Sequence, residues 1–260
     1  MIRALTTAAS GLSAQSANIE RISNDLANVN TDSYKRGRTE FQDLMYETLK
    51  EPGGQIGAGS QTPVGIQAGM GVKVGATYKI FEQGPARMTY NINDMMIEGT
   101  GFLPVQLPNG EIAYTRNGAF HRDSQGKLVL SNGAQLIPQV TIPSNALGMQ
   151  ISNGGEIKVQ LPGQGEAVIG QIQLMNFVNE QGLRAVGESL YQPTAASGQP
   201  LQGIPGENGY GMIQQGALEG SNVNVPNSMV DMITTQRAYE MNTKVMGVAD
   251  QMLGATVNVK

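Results

Sequence analysis

Leu5, Leu12, Ile19 and Leu26 recur every seven residues, and Ala8, Ile22 and Val29 each fall three residues after one of them. An apolar stripe of that period needs an α-helix of about four heptads. Gln15 interrupts the seam, where a polar residue tunes register or meets a partner's polar atom. Near the other end, Val230, Ile233, Met241, Val245, Val248 and Met252 repeat at helical intervals and predict a second amphipathic helix. Its start falls at Asn224 to Pro226, where an Asn cap and an early Pro suit a first turn.

The faces away from these stripes carry few charges. Between Ala4 and Val29 the charged residues are Glu20, Arg21 and Asp25, and the rest of the outer face is Ser, Thr, Ala, Gln, Asn and Gly. A helix in bulk solvent usually carries many Lys and Glu pairs. One reading is an ordinary intramolecular helix pair. Such a pair covers one stripe of each helix, however, and the small-residue remainder suits further neighbours drawn from other copies of the chain.

From Val72 to Gly220 the period changes to alternation. Asn-Gly dipeptides at Asn109-Gly110, Asn117-Gly118, Asn132-Gly133, Asn153-Gly154 and Asn208-Gly209 mark hairpins, because both residues accept the positive φ of a type I′ turn. The strands expected around them are Phe102 to Leu107, Glu111 to Arg116, Lys127 to Leu130, Gln135 to Ile142, Glu156 to Leu161 and Ile169 to Phe177. The fold class is therefore α+β: terminal helices pairing as a coiled-coil-like core, a central antiparallel β domain, and an extended linker between them. The expected divisions are 1–34 with 221–260 for the helical core, 35–71 for the connection and 72–220 for the β domain. Within the connection, Phe41, Leu44, Met45 and Leu49 predict a further helix over Thr39 to Leu49, and the Gly-, Gln- and Pro-rich stretch from Glu51 to Gly71 predicts a long loop.

Composition excludes much chemistry. The 260 residues include no Cys and one His, so thiolate metal sites, cysteine nucleophiles and disulfides are absent, and imidazole chemistry has one candidate. That residue, His121, lies in alternating sequence with no second His to complete a metal site, and reads as a surface strand residue. Gly69 to Lys73 lacks phosphate-loop spacing, Gly99 to Phe102 reads as a tight turn before a strand, and Asp123 to Gly126 lacks the later ligands of a calcium loop. Asp94, Glu98, Glu111 and Glu156 could converge as a carboxylate pair for glycoside hydrolysis, but nothing local marks any of them as an acid, and the 5% aromatic content gives little to stack on sugars. Lys35 and Arg36 read as a solvated helix exit. The net charge of −4 resides in the middle of the chain, since residues 1–45 hold five basic and five acidic residues and 220–260 hold three of each. That balance supports no nucleic-acid footprint. No apolar run approaches the roughly 20 residues that span a bilayer, and the polar residues of Arg3 to Thr7 break any secretory core. The expectation is no membrane insertion and export without a cleaved signal.

Asn24-Asp25-Leu26-Ala27-Asn28-Val29-Asn30-Thr31, followed by Ser33-Tyr34-Lys35-Arg36, resembles the N-terminal signature of the flagellar rod and hook proteins. The run from Ser221 through Asn222 and Asn224 to Val225, with Gln236-Arg237-Ala238-Tyr239-Glu240-Met241-Asn242, resembles the signature at the other end. Gly101-Phe102, Tyr114 to Phe120, Gly126 to Val129 and Thr141 to Leu147 are similar to the distal-rod members, as is the insertion from Tyr46 to Pro63. The sequence departs from the family in having Asp25 where Asn is commoner and Ser33-Tyr34 where Gly-Phe is commoner; residues 54–60 also vary from the usual pattern.

The resemblance implies a structural subunit with no catalytic, cofactor or metal site. Its terminal helices would build the core of a straight, hollow helical shaft that carries torque from motor to hook, with the β domain outside. The inserted segment, with Tyr46, Pro52, Gly53 and Pro63, would stiffen the rod. The implied partners are further copies of the chain, proximal rod proteins, the hook protein, the peptidoglycan-ring and lipopolysaccharide-ring proteins, and the flagellar type III export apparatus, in a rod that spans the periplasm. A hook or proximal-rod paralogue, or a peptidoglycan-active hydrolase, are the alternatives.

Overall fold

The computed structural model describes residues 2–51, 64–162 and 165–257, in two compact units. One holds Met1–Ala27, Gly37–Tyr78 and Asn224–Lys260, and the other Asn28–Arg36 and Lys79–Val223.

In the first unit, helix α1 spans Ile2–Ala27 and helix α2 spans Val225–Val257. Asn224 caps α2 as expected. Its Oδ1 accepts the Asn227 N–H at 3.1 Å and its carbonyl the Ser228 N–H at 2.9 Å. Pro226 stands in the first turn, where a missing N–H leaves no bond unmade. Val29 falls in the turn after α1, so the predicted stripe outlasts its helix.

The two helices pack along each other through small and polar residues. Ala8, Ala14 and Ile22 of α1 and Thr235 and Ala249 of α2 are buried. Asn18 Nδ2 donates to Thr235 Oγ1 at 3.1 Å. At Gly11 an added Cβ would stand 3.0 Å from Asn242 Nδ2, so glycine sets how closely the helices approach.

The helix expected over Thr39 to Leu49 does not form. The chain there makes two strands, Gly37–Asp43 and Tyr46–Lys50, paired with Val72–Lys79 and Ile66–Gly69 respectively. Phe41, Met45 and Leu49 are exposed, so no core rewards burying the helical face they would have made. Pairing along the backbone decides instead: Leu44 N–H donates to the Gly71 carbonyl at 2.9 Å, and Gly75 lies where any Cβ would strike the Gln42 side chain. Part of the predicted long loop is thus strand, at Ile66–Gly69. Residues 52–63 of it, including Pro52, Gly53 and Pro63, lie outside the described residues.

The second unit is antiparallel β, as alternation predicts. A seven-stranded sheet runs in the order Arg184–Gly187, Leu190–Gln192, Ile112–Thr115, Leu103–Gln106, Gln135–Leu136, Leu128–Val129 and His121–Arg122. A three-stranded sheet joins Gly148–Ile151, Glu156–Leu161 and Gly165–Gln171. Two expected strands are shorter than their alternation. Gln135 to Ile142 keeps only Gln135–Leu136, because Pro138 cannot donate to a ladder. Ile169 to Phe177 is divided between Gly165–Gln171 and Leu174–Asn176.

The core of this unit gathers Met95, Ile97, Leu103, Val105, Phe120 and Leu136 with their neighbours. Beside it, Phe102, Tyr114, Phe177 and Tyr191 form an aromatic cluster, with edge-to-face contacts at centroid separations of 5.0 Å for Tyr114–Phe177 and 5.8 Å for Phe102–Phe177.

The Asn-Gly pairs serve different ends. Only Asn208-Gly209 has both residues at positive φ, 50° and 83°. At Asn109-Gly110 and Asn132-Gly133 the glycine alone turns left-handed. Gly118 is required for space: a Cβ there would stand 1.6 Å from the Met95 carbonyl oxygen, in the centre of the core.

Two alanine substitutions separate these roles. Gly118→Ala is expected to cost about 3 kcal/mol or more, through backbone displacement in the core. Gly110→Ala, at φ 87° with nothing within 4 Å, is expected to cost only about 1 kcal/mol from the left-handed backbone. Urea unfolding followed by tyrosine fluorescence measures both.

Candidate assembly interface

α2 presents two different faces. Residues half-buried or buried along α1 are Met232, Thr235, Ala238, Asn242, Met246 and Ala249. The residues that the apolar period singled out, Val230, Ile233, Met241, Val245, Val248 and Met252, are all exposed, Met241 at 65%. At about 100° per residue the two sets occupy separate arcs of the helix whose centres lie about 120° apart. On α1 the predicted stripe is sheltered: Ile22 is buried, and Leu5, Leu12, Ile19 and Leu26 are half-buried. α1 therefore covers the small-residue face of α2 and leaves the greasier one open. The helical period alone could not show this, because it marks the more apolar side and is blind to which side a partner takes.

Gln236, Arg237, Tyr239 and Glu240 of the C-terminal signature are exposed on α2, whereas Ala238 is half-buried. Asn24, Ala27 and Asn30 are exposed at the end of α1 or just beyond it.

The other signature residues work inside the second unit, where the segment that follows α1 is bonded to the segment that precedes α2. Lys35, read from sequence as a solvated exit, is fully buried. Its Nζ donates to Glu219 Oε1 at 2.6 Å and to the Glu82 carbonyl at 2.7 Å. The other carboxylate oxygen, Glu219 Oε2, accepts from Arg116 Nε at 2.9 Å. Arg116 also donates to the carbonyls of Gly101 and Gly99, each at 2.9 Å, which fixes the glycine turn before Phe102. Arg36 does remain partly exposed, in an ion pair with Glu82 at 3.1 Å.

One carboxylate thus serves two cations. Burial pushes Glu219 upward, but Arg116, Lys35 and the Gly84 N–H overcome it and hold the carboxyl below its usual range. Lys35 is lowered by burial first and by the Arg116 charge second, with Glu219 opposing. The two cations thus favour the anion, while burial first and the second cation after it disfavour the charged lysine.

Asn222 completes the link. Its Oδ1 accepts the Arg36 N–H at 2.7 Å, and its Nδ2 donates to the carbonyls of Ile80 and Glu82 at 2.9 and 3.0 Å. Tyr34 lies under Lys79 Nζ, 4.1 Å from the ring centroid, and its hydroxyl accepts from the same nitrogen at 3.0 Å. Asn28 Oδ1 accepts the Thr31 hydroxyl at 3.1 Å in the turn between them. Ser33 has φ 57°, in the left-handed region that glycine adopts most readily. Serine is held there by its N–H to the Glu219 carbonyl at 2.7 Å and its hydroxyl to the Arg116 carbonyl at 2.8 Å. Asp25 is buried, accepting from the Gly37 N–H and from Arg21, both at 2.9 Å.

Two of the four carboxylates weighed for catalysis, Asp94 and Glu111, are engaged locally. Asp94 accepts from the Thr89 hydroxyl and the Asn91 amide at 2.7 and 3.0 Å, and Glu111 from Asn109 and Gln192 at 3.1 and 3.0 Å. Asp123 Oδ1 accepts two backbone N–H groups of its own turn at 2.8 Å. His121 is exposed on an outer strand. Among the described residues no cluster of three or more His, Cys, Asp or Glu could hold a metal, and no helix is long and apolar enough to cross a membrane.

Comparison with known families matches residues 5–35 to "Flagella basal body rod protein", 96–159 to "Flagellar hook protein FlgE/F/G D1 domain" and 214–259 to "Flagellar basal body rod FlgEFG protein C-terminal". The flagellar basal-body rod protein FlgG of Caulobacter vibrioides is 48% identical over 261 residues, covering 100% of both chains. That of Borreliella burgdorferi is 44% identical over 263 residues, covering 100% of this chain and 99% of its own. That of Bacillus subtilis is 30% identical over 266 residues and 100% of both.

Glu219→Gln leaves two buried cations without an anion and is expected to cost about 3–5 kcal/mol. Because the folded carboxyl titrates below its unfolded value, its contribution is complete above that value and is lost as pH falls through the folded one. Urea midpoints of the unsubstituted chain should therefore decline in acid more steeply than those of Glu219→Gln.

Proposed function

The chain belongs to the FlgG family of flagellar basal-body rod proteins, and on that premise we propose that it builds the distal rod by polymerising through its terminal helices. It is a structural subunit of the basal body, and its work is mechanical. The observation that carries the reading is the open face of α2, six exposed apolar residues turned away from the seam with α1. Exposed apolar area of this kind marks a surface that another protein covers. A second copy suits it, because a face on one helix and a different receiving surface make a heterologous contact that continues as a filament.

In this reading the rod is a straight, hollow shaft that spans the periplasm and transmits torque to the hook. Proximal rod proteins and the hook protein meet its ends, the peptidoglycan-ring and lipopolysaccharide-ring proteins surround it as a bushing, and the type III export apparatus delivers its subunits. The divisions in this account are a helical core of 1–34 and 221–260, a connection of 35–71 and an outer β domain of 72–220.

The strand pair Tyr46–Lys50 and Ile66–Gly69 supports a stiffening role for the segment from Tyr46 to Pro63. Tyr46, Leu49 and Ile66 are exposed on it. Bending a tube slides subunits past one another, and apolar contacts from this arm to neighbouring copies would resist the sliding.

Concentrated protein is expected to form straight tubes in negative-stain electron microscopy. Val245→Asp places a charge on the open face and should raise the concentration needed for polymer about 100-fold, while unfolding of the β unit stays unchanged. A chain that lacks residues 46–63 should still polymerise but give curved or flexible tubes; equally straight tubes would remove the stiffening role.

A further inference from the structure

We propose that Asn153-Gly154 and Asn208-Gly209 form a spontaneous modification site on the β unit, where asparagine converts to aspartate and isoaspartate, while the other three Asn-Gly pairs are locked as amides by their turns. The inference is independent of the assembly reading. The conversion needs the N–H of the following residue to attack the asparagine side chain, and glycine, without a Cβ, hinders that attack least. The chain has five such pairs, and the register of each turn separates them.

At Asn109-Gly110 and Asn132-Gly133 the glycine N–H closes the turn, donating to the carbonyls of Leu107 and Leu130, each at 2.9 Å. The asparagine Oδ1 accepts the N–H two residues on, from Glu111 at 3.0 Å and from Ala134 at 2.9 Å. The amide nitrogens donate to the carboxylates of Glu111 and Glu188 at 3.1 and 2.8 Å. At the remaining locked pair, Asn117 Oδ1 accepts the Ala119 N–H at 3.0 Å, and Gly118 is packed against the Met95 carbonyl in the core.

The other two turns close one residue later. Gly155 N–H donates to the Ser152 carbonyl and Tyr210 N–H to the Glu207 carbonyl, both at 2.9 Å. Among the described residues, the N–H groups of Gly154 and Gly209 and the side-chain amides of Asn153 and Asn208 have no hydrogen-bond partner. Both asparagines are exposed. The turns also adjoin, since a Cβ on Gly155 would stand 3.0 Å from Pro205, so both conversions fall on one rim of the unit.

The step balances without an oxidant. The glycine nitrogen gives up its proton to water and attacks the asparagine side-chain carbonyl carbon. A C–N bond closes a succinimide ring as the bond to the side-chain nitrogen breaks, and that nitrogen takes up a proton and leaves as ammonia. Water then opens the ring, at the side-chain carbonyl to give aspartate or at the main-chain carbonyl to give isoaspartate. Either product puts a carboxylate where an amide stood. Isoaspartate also adds a methylene to the main chain. At position 153 it falls between Ser152 and Gly155, whose bond closes the turn, and displaces the carbonyl that accepts the Ile213 N–H at 3.1 Å.

The test incubates full-length chain in warm, mildly alkaline buffer, folded and in urea, and follows each Asn-Gly peptide by mass spectrometry. In urea all five pairs should convert at comparable rates. In the folded chain Asn153 and Asn208 should convert about tenfold or more faster than Asn109 and Asn132, where attack must first break two turn hydrogen bonds. Gly154→Ala adds a methyl whose nearest neighbour is Ser152 Oγ at 3.9 Å; it should suppress conversion at Asn153 and leave that at Asn208 as it was. If Asn109, Asn117 or Asn132 converts in the folded chain as fast as Asn153, or if Asn153 or Asn208 persists there while the chain in urea converts at all five, the site is not the one assigned. Conversion at Asn153 undiminished by Gly154→Ala would overturn the attack by Gly154.

Discussion

Burying Lys35 and Arg116 side by side would cost several kcal/mol per ion without an anion between them. Glu219 supplies that anion, with one oxygen for each cation. Because Lys35 follows α1 in the chain and Glu219 precedes α2, the pairing holds together two segments 184 residues apart. The same arrangement fixes the turn before Phe102 through Arg116, and with it one edge of the aromatic cluster. A neutral substitute at Glu219 would keep the shape and lose the compensation, so charge is the requirement at this position.

The helix pair obeys a different constraint. Its seam contains Gly11, Ala14, Asn18, Thr235 and Asn242, residues that permit close approach and contribute modest apolar area. Burying a large side chain fully is worth about 1.5–3 kcal/mol, and the large ones on α2 are mostly turned away from this seam. Folding as a single chain therefore leaves the helix's greater apolar potential unused.

Much of this was legible in the sequence where the signal is local. The seven-residue stripe located α1, Asn224 and Pro226 located the start of α2, and alternation with Asn-Gly turns identified the β unit. Thr39 to Leu49 misled because four apolar residues at helical spacing carry no information about whether a core exists to receive them. Its strands form because Val72–Lys79 and Ile66–Gly69 lie alongside, a circumstance no window of eleven residues contains. The pairing of Arg116 with Glu219 is not legible for a related reason: the two are 103 residues apart, and although Arg116 stands in the Tyr114 to Phe120 run, nothing in that run points to Glu219. Lys35 was noticed for its charge and placed on the surface, since a lysine is almost never buried unless paired. Ser33 shows the converse, where a departure from the family's glycine becomes intelligible only through φ 57° and two hydrogen bonds.

These two constraints separate what must be permanent from what must be reversible. An ion pair sealed from water loses its compensation as soon as one partner leaves, so it favours a segment that stays closed. An apolar helix face gains or loses a neighbour at a cost that scales smoothly with area, and it needs no unique geometry to begin the encounter. Placing the first kind of contact inside the β unit and the second kind of surface on α2 separates what fixes the fold from what stands open to a neighbour. Methionine suits the second role further, because an unbranched thioether can adjust to a neighbour that meets it in more than one way.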